Sequence, residues 1–412
     1  MSLLSVDDAL KAITETLFPI DKEEISMAEA AAGEVMGRVL AEDVYAELSH
    51  PPHDVSAMDG FAVRQTDLAD LSKPLKIIGE SAAGHPFKGV VNTGEAVRIF
   101  TGGYCPKACD TVIIQEDTEC NGDQVTIKEA APKGRYIRPQ GNDFSQGDLI
   151  AAKGTPLSPR LLALIASAGI VTLKLRKKPR VAIISTGDEL VAPGMPPKEG
   201  QIISSNGLFL KNYLNSIGAE VIDIGIIPDQ DDAIGKAFED ATKADLIITS
   251  GGASVGSHDG VAKAMTDENT TQLNFWRIAM RPGKPLIFGK IEGVPMIGLP
   301  GNPVSTGVCA MVFVSTAIKA MTGQDISRNW GLDIRQGRLS KPLKANDKRQ
   351  DYLRASLNYG EDGVPELTPY EQQDSGMMRL LTQAEALVIR SPFADEVDIG
   401  DLVSYIPISS TI

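Results

Sequence analysis

Hydrophobic and polar positions follow a helical period at both ends of the first 178 residues. Residues 5–18, SVDDALKAITETLF, have this period and begin with Ser5 and Asp8, which suit a capping box. Residues 26–44, SMAEAAAGEVMGRVLAEDV, predict a second helix, and residues 158–170, SPRLLALIASAGI, predict a third. These segments indicate a discontinuous helical or mixed domain over residues 1–50 and 144–178.

The intervening residues have a strand pattern instead. Short runs rich in β-branched residues are separated by Gly and Pro turns, as in LKIIGESA (75–82), EAVRIF (95–100), DTVIIQED (110–117) and QVTIKEA (124–130). The simplest arrangement is a β-rich domain, residues 51–143, inserted into the helical one.

From Pro179 onward, predicted strands and helices alternate. The strands are RVAIIST, VIDIGII and DLIITS, and residues such as Leu210, Leu214 and Ile234 keep helical spacing between them. Such alternation predicts a mostly parallel sheet in an α/β domain over residues 179–328. The strand pattern returns in YLRASL, PELTPY, ALVIRSP and DLVSYIPI, which predicts a small C-terminal β domain over residues 329–412.

Composition narrows the class of protein. The 412 residues are 42% hydrophobic and 23% charged, as expected of a globular protein with several domains. A net charge of −14 argues against nucleic acid or anionic membrane as a partner.

The apolar run at residues 308–321 is interrupted by Ser315, Thr316 and Lys319 and predicts a buried helix. The first residues carry acids where a signal peptide carries bases, so we expect a cytoplasmic protein.

Cysteines and histidines offer little metal chemistry. Cys105 and Cys109 have no matching pair, and buried or idle thiols are favoured over a zinc site. His50 and His53 lie in a proline-rich loop, HPPHD, which is weak support for a metal.

Three predicted strands end in glycines and polar residues. RVAIIST runs into GDE, LIITS into GGASVGSHD, and VPMIGL into PGNPVS. Ligands of open α/β sheets gather beyond the carboxyl ends of the strands. The Gly251–Gly252 turn would bring backbone close to a ligand, and Asn302 with Pro303 predicts a helix start with free amides. Each motif alone is typical of an ordinary strand-to-helix turn, but two in one domain favour an oxyanion site.

The acidic residues near these strand ends require a cation if an anion binds there. Asp188, Glu189, Asp229 and Asp259 would repel a bound phosphate, and Mg²⁺ resolves the conflict by binding carboxylates and phosphate oxygens together. Glu189 and Asp259 are the preferred metal ligands, whereas Asp229 also suits a helix cap. The residues after Gly256 do not match a Walker loop, and Ala253 breaks the dinucleotide spacing. In MRPGKP, residues 280–285, two cations suit a tetrahedral oxyanion or a solvated surface turn; they are Arg281 and Lys284.

These motifs together resemble one family, the molybdopterin molybdenumtransferases, which include MoeA and the E domain of gephyrin. The motifs occur in the family's order and span nearly the whole chain: SAMDGFA (56–62), RIFTGG (98–103), RPQGNDFSQGD (138–148), STGDEL (185–190), TSGGASVGSHD (249–259), RPGKP and GLPGNPVS. The sequence departs from the family pattern at Arg281, where lysine is usual, and at Ser257, where an acid is common.

The resemblance implies a four-domain homodimer with a molybdopterin-binding-type α/β domain and a C-terminal β-barrel. It also implies insertion of molybdate into adenylylated molybdopterin, with release of AMP in a Mg²⁺-dependent step, at a cleft completed by the partner subunit. By motif, the implied catalytic residues are Asp59, Thr101, Asp143, Glu189, Asp229 and Asp259. The predicted substrate-binding residues are Gly251, Gly252, Ser254, Arg281, Lys284, Pro300, Gly301, Asn302, Pro303, Ser305, Ser375 and Arg379.

Two other functions remain open from the sequence. One is adenylyl transfer onto molybdopterin, or hydrolysis of a nucleotide pyrophosphate, by a related α/β domain. The other is a dimeric scaffold of the gephyrin type without catalysis. The acids at 189, 229 and 259 favour retained chemistry, because a scaffold does not require them.

Overall fold

A computed structural model of the protein describes residues 3–33, 35–251 and 271–408. Within these ranges the helices are α1 (Val6–Thr16), α2 (Met27–Ala31), α3 (Pro159–Ser167), α4 (Ser205–Ser216), α5 (Asp231–Ala241), α6 (Pro303–Met321, with a π-helical segment at Ala310–Val314) and α7 (Met378–Gln383). Short 3₁₀ helices span Gln65–Ala69, Gln115–Asp117 and Asn329–Gly331.

The first 178 residues contain twelve strands in their described part. They are β1 (Lys22–Ser26), β2 (Val44–Tyr45), β3 (Val55–Ser56), β4 (Gly60–Val63), β5 (Leu75–Ser81), β6 (Glu95–Ile99), β7 (Thr111–Ile114), β8 (Thr118–Asn121), β9 (Gln124–Ile127), β10 (Ile137–Arg138), β11 (Leu149–Ala151) and β12 (Thr172–Arg176). Strands β4 to β9 form one sheet in the order β7-β4-β6-β5-β9-β8. Strand β1 pairs with β12 and β2 pairs with β11, so strands from before and after the six-stranded sheet pair with each other. The segment that forms this sheet is therefore inserted between them.

The predicted helix over residues 26–44 is wrong in length. The helix starts as its sequence indicates, since Ser26 and Glu29 form a complete capping box, but α2 ends at Ala31. Gly33 and Gly37 have φ values of 95° and 75°, a left-handed conformation that a continuing helix cannot contain. By contrast, α1 begins as predicted, with the Ser5 hydroxyl accepting the Asp8 amide at 3.0 Å.

The central region is the predicted α/β domain with a mostly parallel sheet. Its strands are β13 (Arg180–Thr186), β14 (Leu190–Val191), β15 (Ile202–Ile203), β16 (Glu220–Ile227), β17 (Leu246–Ser250), β18 (Thr271–Trp276), β19 (Met280–Arg281), β20 (Ile287–Ile291) and β21 (Val294–Leu299). The main sheet has the order β16-β13-β17-β21-β20-β18, and its first four strands are parallel. The carboxyl ends of those four strands therefore lie along one edge.

Helix α6 is the core helix of this domain. It has the length and apolar composition of a membrane span, but 94% of its apolar window is buried inside the protein. Its side chains pack with α1, α4 and the sheet in the largest hydrophobic cluster of the described chain. The prediction of a buried helix at residues 308–321 is confirmed.

The C-terminal strands close into a five-stranded barrel, as predicted. They are β22 (Arg335–Leu339), β23 (Gln350–Tyr359), β24 (Pro365–Pro369), β25 (Ala386–Arg390) and β26 (Leu402–Pro407). The sheet order β23-β24-β22-β26-β25 is closed by pairing of β25 with β23. Strand β19 of the α/β region adds to β23, with Arg281 opposite Asp351, and so joins the two domains through backbone hydrogen bonds.

Candidate active site

A cleft lies at the carboxyl edge of the parallel sheet. Its walls come from the ends of β13 and β17, the start of α4 and the loop before α6. Gly251 has a φ of 95°, and a Cβ atom there would lie 2.4 Å from the Thr186 carbonyl, so the turn requires glycine. The opposite wall is fixed by the Asn206 side-chain amide, which donates to the Gly301 carbonyl at 2.7 Å. Backbone from three loops therefore meets at one place, as the strand ends predicted.

Three of the predicted acids lie together, and one of them, Glu189, lines the cleft. Asp188 accepts the Asp229 amide at 3.1 Å, and Glu189 follows it directly in the chain. The Glu189 carboxylate folds back over Gly187, where a Cβ atom would lie 2.6 Å from its Oε2. Desolvation raises the pKa of Asp229, and the negative charges of Asp188 and Glu189 raise it further. The sequence thus placed Asp188, Glu189 and Asp229 correctly in one cluster.

This concentration of negative charge fits a hard divalent cation. Carboxylate oxygens are the protein ligands that Mg²⁺ prefers, and the negative charges of Asp188 and Glu189 add to desolvation in raising the pKa of Asp229. Within the described residues, no three His, Cys, Asp or Glu side chains converge as a complete metal site. Glu189 and Asp229 could therefore supply part of a coordination shell, with substrate oxygens supplying more.

Removal of the Asp229 charge should stabilise the free protein at neutral pH. The folded pKa of Asp229 lies above its unfolded value, so its ionisation opposes folding above the folded pKa and has no effect below the unfolded one. We expect Asp229→Asn to melt above wild type at pH 7, with the difference disappearing as the pH falls through that window. Melting curves from pH 7 to 3.5 without Mg²⁺ measure this. Glu199→Gln, at an exposed position in the loop before α4, is the control, and a lower melting point for Asp229→Asn at pH 7 would exclude the proposed repulsion.

The start of α6 differs from its prediction. Asn302 occupies the N-cap position and Pro303 the first turn, but the Asn302 side chain makes no cap. It donates instead to the Ser375 hydroxyl at 2.9 Å, while the Val304 amide donates to the Ser375 carbonyl at 3.0 Å. The predicted free amides at this helix start are thus wrong for Val304, because a loop of the C-terminal domain binds it. Ser375 thus contacts the start of α6, and its predicted role in substrate binding stays a prediction.

Arg354 holds that loop, and the sequence did not reveal it. Its side chain is 1% exposed and donates to the carbonyls of Asp374 and Met377 at 3.0 and 3.3 Å and to the Gln373 side chain at 3.2 Å. An arginine within the strand pattern YLRASL is typical of a solvent-facing position, so only its burial shows that it organises the loop around Ser375. Arg379, in the first turn of α7 after this loop, is exposed.

The two cations of the RPGKP turn have different surroundings. Arg281 binds Asp351 through two nitrogens, with Nε 2.8 Å from Oδ1, and its charge is therefore engaged between domains. Lys284 is exposed, and its backbone carbonyl accepts the Ile278 amide at 3.0 Å. Of the two, Lys284 is the one available to a ligand, and the predicted oxyanion role of Arg281 stays a prediction.

The remaining candidates in the N-terminal region form a separate group. Asp59 accepts both the amide and the hydroxyl of Thr101 at 2.8 Å, and the amide bond, followed by the hydroxyl bond, lowers the pKa of Asp59. Asp143 lies in a second cavity near Gly102. Burial raises the pKa of Cys105 and Cys109 to about 12.

Of the remaining predicted residues that the structure describes, Pro300 and Ser305 do not line the cleft. Gly252, Ser254 and Asp259 lie outside the described residues. The Pro300 carbonyl accepts the Thr306 hydroxyl at 2.6 Å, and Ser305 is 4% exposed within α6.

A parallel sheet with a donor-lined cleft at its carboxyl edge defines an α/β ligand-binding domain, here joined to a β-barrel and an N-terminal region. Three family models match the chain: "MoeA N-terminal region (domain I and II)" at residues 4–169, "Probable molybdopterin binding domain" at 182–320, and "MoeA C-terminal region (domain IV)" at 336–408.

Curated relatives match over most of their length. The chain is 37% identical over 409 residues to molybdopterin molybdenumtransferase of Haemophilus influenzae, covering 98% of each chain. It is 34% identical to the enzyme of that name from Nostoc sp., covering 86% of this chain and 82% of the relative. The solved molybdopterin biosynthesis MoeA protein of Pyrococcus horikoshii has a TM-score of 0.82 at 30% identity, covering 98% and 99%. The chain therefore belongs to the molybdopterin molybdenumtransferase (MoeA) family.

Proposed function

We propose that this cleft binds adenylylated molybdopterin and that molybdate joins the dithiolene sulfurs as AMP is released in a Mg²⁺-dependent step. Family membership makes the chain a molybdenumtransferase of molybdenum cofactor biosynthesis. The adenylylated substrate, the AMP and the Mg²⁺ are the finer parts of the proposal. The observation that carries them is the cluster of Asp188, Glu189 and Asp229 beside a cleft lined by donors.

Each wall of the cleft has a role in this proposal. The start of α4 and the backbone at Gly251 offer N–H donors to phosphate oxygens. Lys284, which is exposed and is not one of the residues lining the cleft, would add a positive charge to substrate binding. Glu189, with Asp229 beside it, would hold Mg²⁺, which neutralises phosphate charge when it is bound. The chain itself thus acts through positioning and charge, and it needs no protein nucleophile.

Asp59, Thr101 and Asp143 support a proposed homodimer. Asp59 and Thr101 are bonded to each other in the N-terminal sheet region, and neither they nor Asp143 line the cleft. A partner subunit could bring this group to the cleft and complete it. A cytoplasmic location is likewise proposed, in keeping with the supply of small anionic substrates.

The test is AMP release from adenylylated molybdopterin. We expect release that depends on both molybdate and Mg²⁺ and that stops when EDTA is added and resumes when Mg²⁺ is restored. Release that is indifferent to molybdate would instead indicate a pyrophosphatase. Formation of adenylylated pterin from ATP and molybdopterin would indicate an adenylyltransferase, and binding of a receptor-loop peptide without turnover would indicate a scaffold.

A further inference from the structure

Three serines that line the cleft have hydroxyls without a hydrogen-bond partner among the described residues. Ser185, Ser204 and Ser250 are 4, 5 and 3% exposed, and all three line the cleft. Among the described residues, no hydrogen bond uses their side-chain oxygens. The fully buried oxygens without a partner in the described residues are Thr186 Oγ1 and Thr249 Oγ1, so the three serine hydroxyls instead open into the cleft and can donate to a ligand there.

The geometry brings these hydroxyls to one point. Ser185 and Ser250 are paired on the adjacent parallel strands β13 and β17. Ser204 comes from the other side, immediately before α4. The position of a Cβ atom on Gly207 would lie 2.8 Å from Ser185 Oγ and 3.4 Å from Ser204 Oγ, so Gly207 leaves the space in which the two hydroxyls meet.

Ser204 gives the clearest evidence that a serine hydroxyl is left available to a ligand. It occupies the N-cap position of α4, where serine normally accepts an amide of the first turn, yet its side chain makes no cap. Helix α4 has twelve residues, and its first turn contains no acidic side chain. The amides at the start of α4 and the Ser204 hydroxyl therefore both remain available to a ligand.

We propose that Ser185, Ser204 and Ser250 form a hydroxyl cradle for a phosphate group of the substrate. Hydroxyls and helix amides donate to phosphate oxygens, and the positive end of the α4 dipole favours an anion there. Neutral donors can hold phosphate close to Glu189 without removing the ion that the carboxylates bind. This proposal rests on the proposed function, since it names the part of the substrate that the cleft holds.

Gly207→Ala tests the cradle without weakening the helix. The new methyl group would lie 2.8 Å from the Ser185 hydroxyl and so displace it, while alanine favours the helix over glycine. Gly235→Ala on α5 is the matched control, because a Cβ atom there meets nothing within 4 Å. Calorimetric titration with AMP and with inorganic pyrophosphate should show affinity at least tenfold weaker for Gly207→Ala and within twofold of wild type for Gly235→Ala. Ser204→Ala should weaken both ligands about fivefold.

Three outcomes would overturn the cradle. Unchanged affinity of Gly207→Ala for AMP and pyrophosphate is the first. An equal loss in Gly235→Ala is the second, because it would reflect a general change in the domain. The third is an equal loss of adenosine binding, which would assign the serines to the nucleoside. Molybdate-dependent AMP release by wild type is measured separately, so failure of the cradle and failure of the proposed function are distinguishable.

Discussion

Glu189→Gln should reduce molybdate-dependent AMP release at least about 100-fold while the protein stays folded. Glutamine keeps the size of the side chain but removes the charge that would hold Mg²⁺. Glu189 is exposed and its backbone carbonyl accepts the Ile202 amide, a bond that the substitution leaves intact. Activity with saturating substrate, together with a melting curve, gives the measurement.

Glu199→Gln provides the comparison for this prediction. Glu199 is exposed in the loop between β14 and β15, and we expect its variant to keep activity within twofold. If Glu189→Gln turned over at the wild-type rate, the carboxylate would have no part in the reaction, and the cluster would be a surface feature only.

Arg281→Met should lower the free energy of unfolding by about 2–4 kcal/mol, because it leaves a buried carboxylate without its cation. Asp351 is 4% exposed, and Arg281 binds it with Nε 2.8 Å from Oδ1. The ion pair joins β19 to β23 and therefore the α/β domain to the barrel. A thermal melt should show a midpoint several degrees lower.

An exposed ion pair serves as the control for the interdomain one. Arg335 binds Asp333 with both side chains more than half exposed, so Arg335→Met should change stability by less than about 0.5 kcal/mol. Arg281→Met combined with Asp351→Leu should recover part of the loss, since no buried charge remains unpaired. Equal, small changes in melting temperature for Arg281→Met and Arg335→Met would show that the ion pair between Arg281 and Asp351 adds no stability.

Hydrophobic periodicity and capping signals predicted the helices and strands well where a segment keeps a single helix or strand period. The strand RVAIIST and the α1 cap agree with the structure because burial and capping are set within a few residues. The helix at residues 26–44 failed because alanines suggested continuation, whereas Gly33 and Gly37 adopt left-handed conformations. A glycine's φ depends on the tertiary path, which local propensity does not contain.

The sequence predicted the acidic residues of the site, but it did not predict the contacts between residues far apart in the chain. Strand ends alone placed Asp188, Glu189 and Asp229 together, because parallel strands share an edge. The contacts of Arg281 with Asp351 and of Asn302 with Ser375 join residues about 70 positions apart. No pattern in a single sequence marks such pairs, and motif resemblance alone pointed to Ser375.

A crystal soaked with AMP, molybdate and Mn²⁺ in place of Mg²⁺ tests the central claim most directly. In the proposed site, Glu189 would hold a divalent ion beside the phosphate of the substrate. We expect anomalous density within about 2.2 Å of both a Glu189 oxygen and an AMP phosphate oxygen. AMP bound elsewhere, or bound in the cleft with no ion beside Glu189, would contradict the claim.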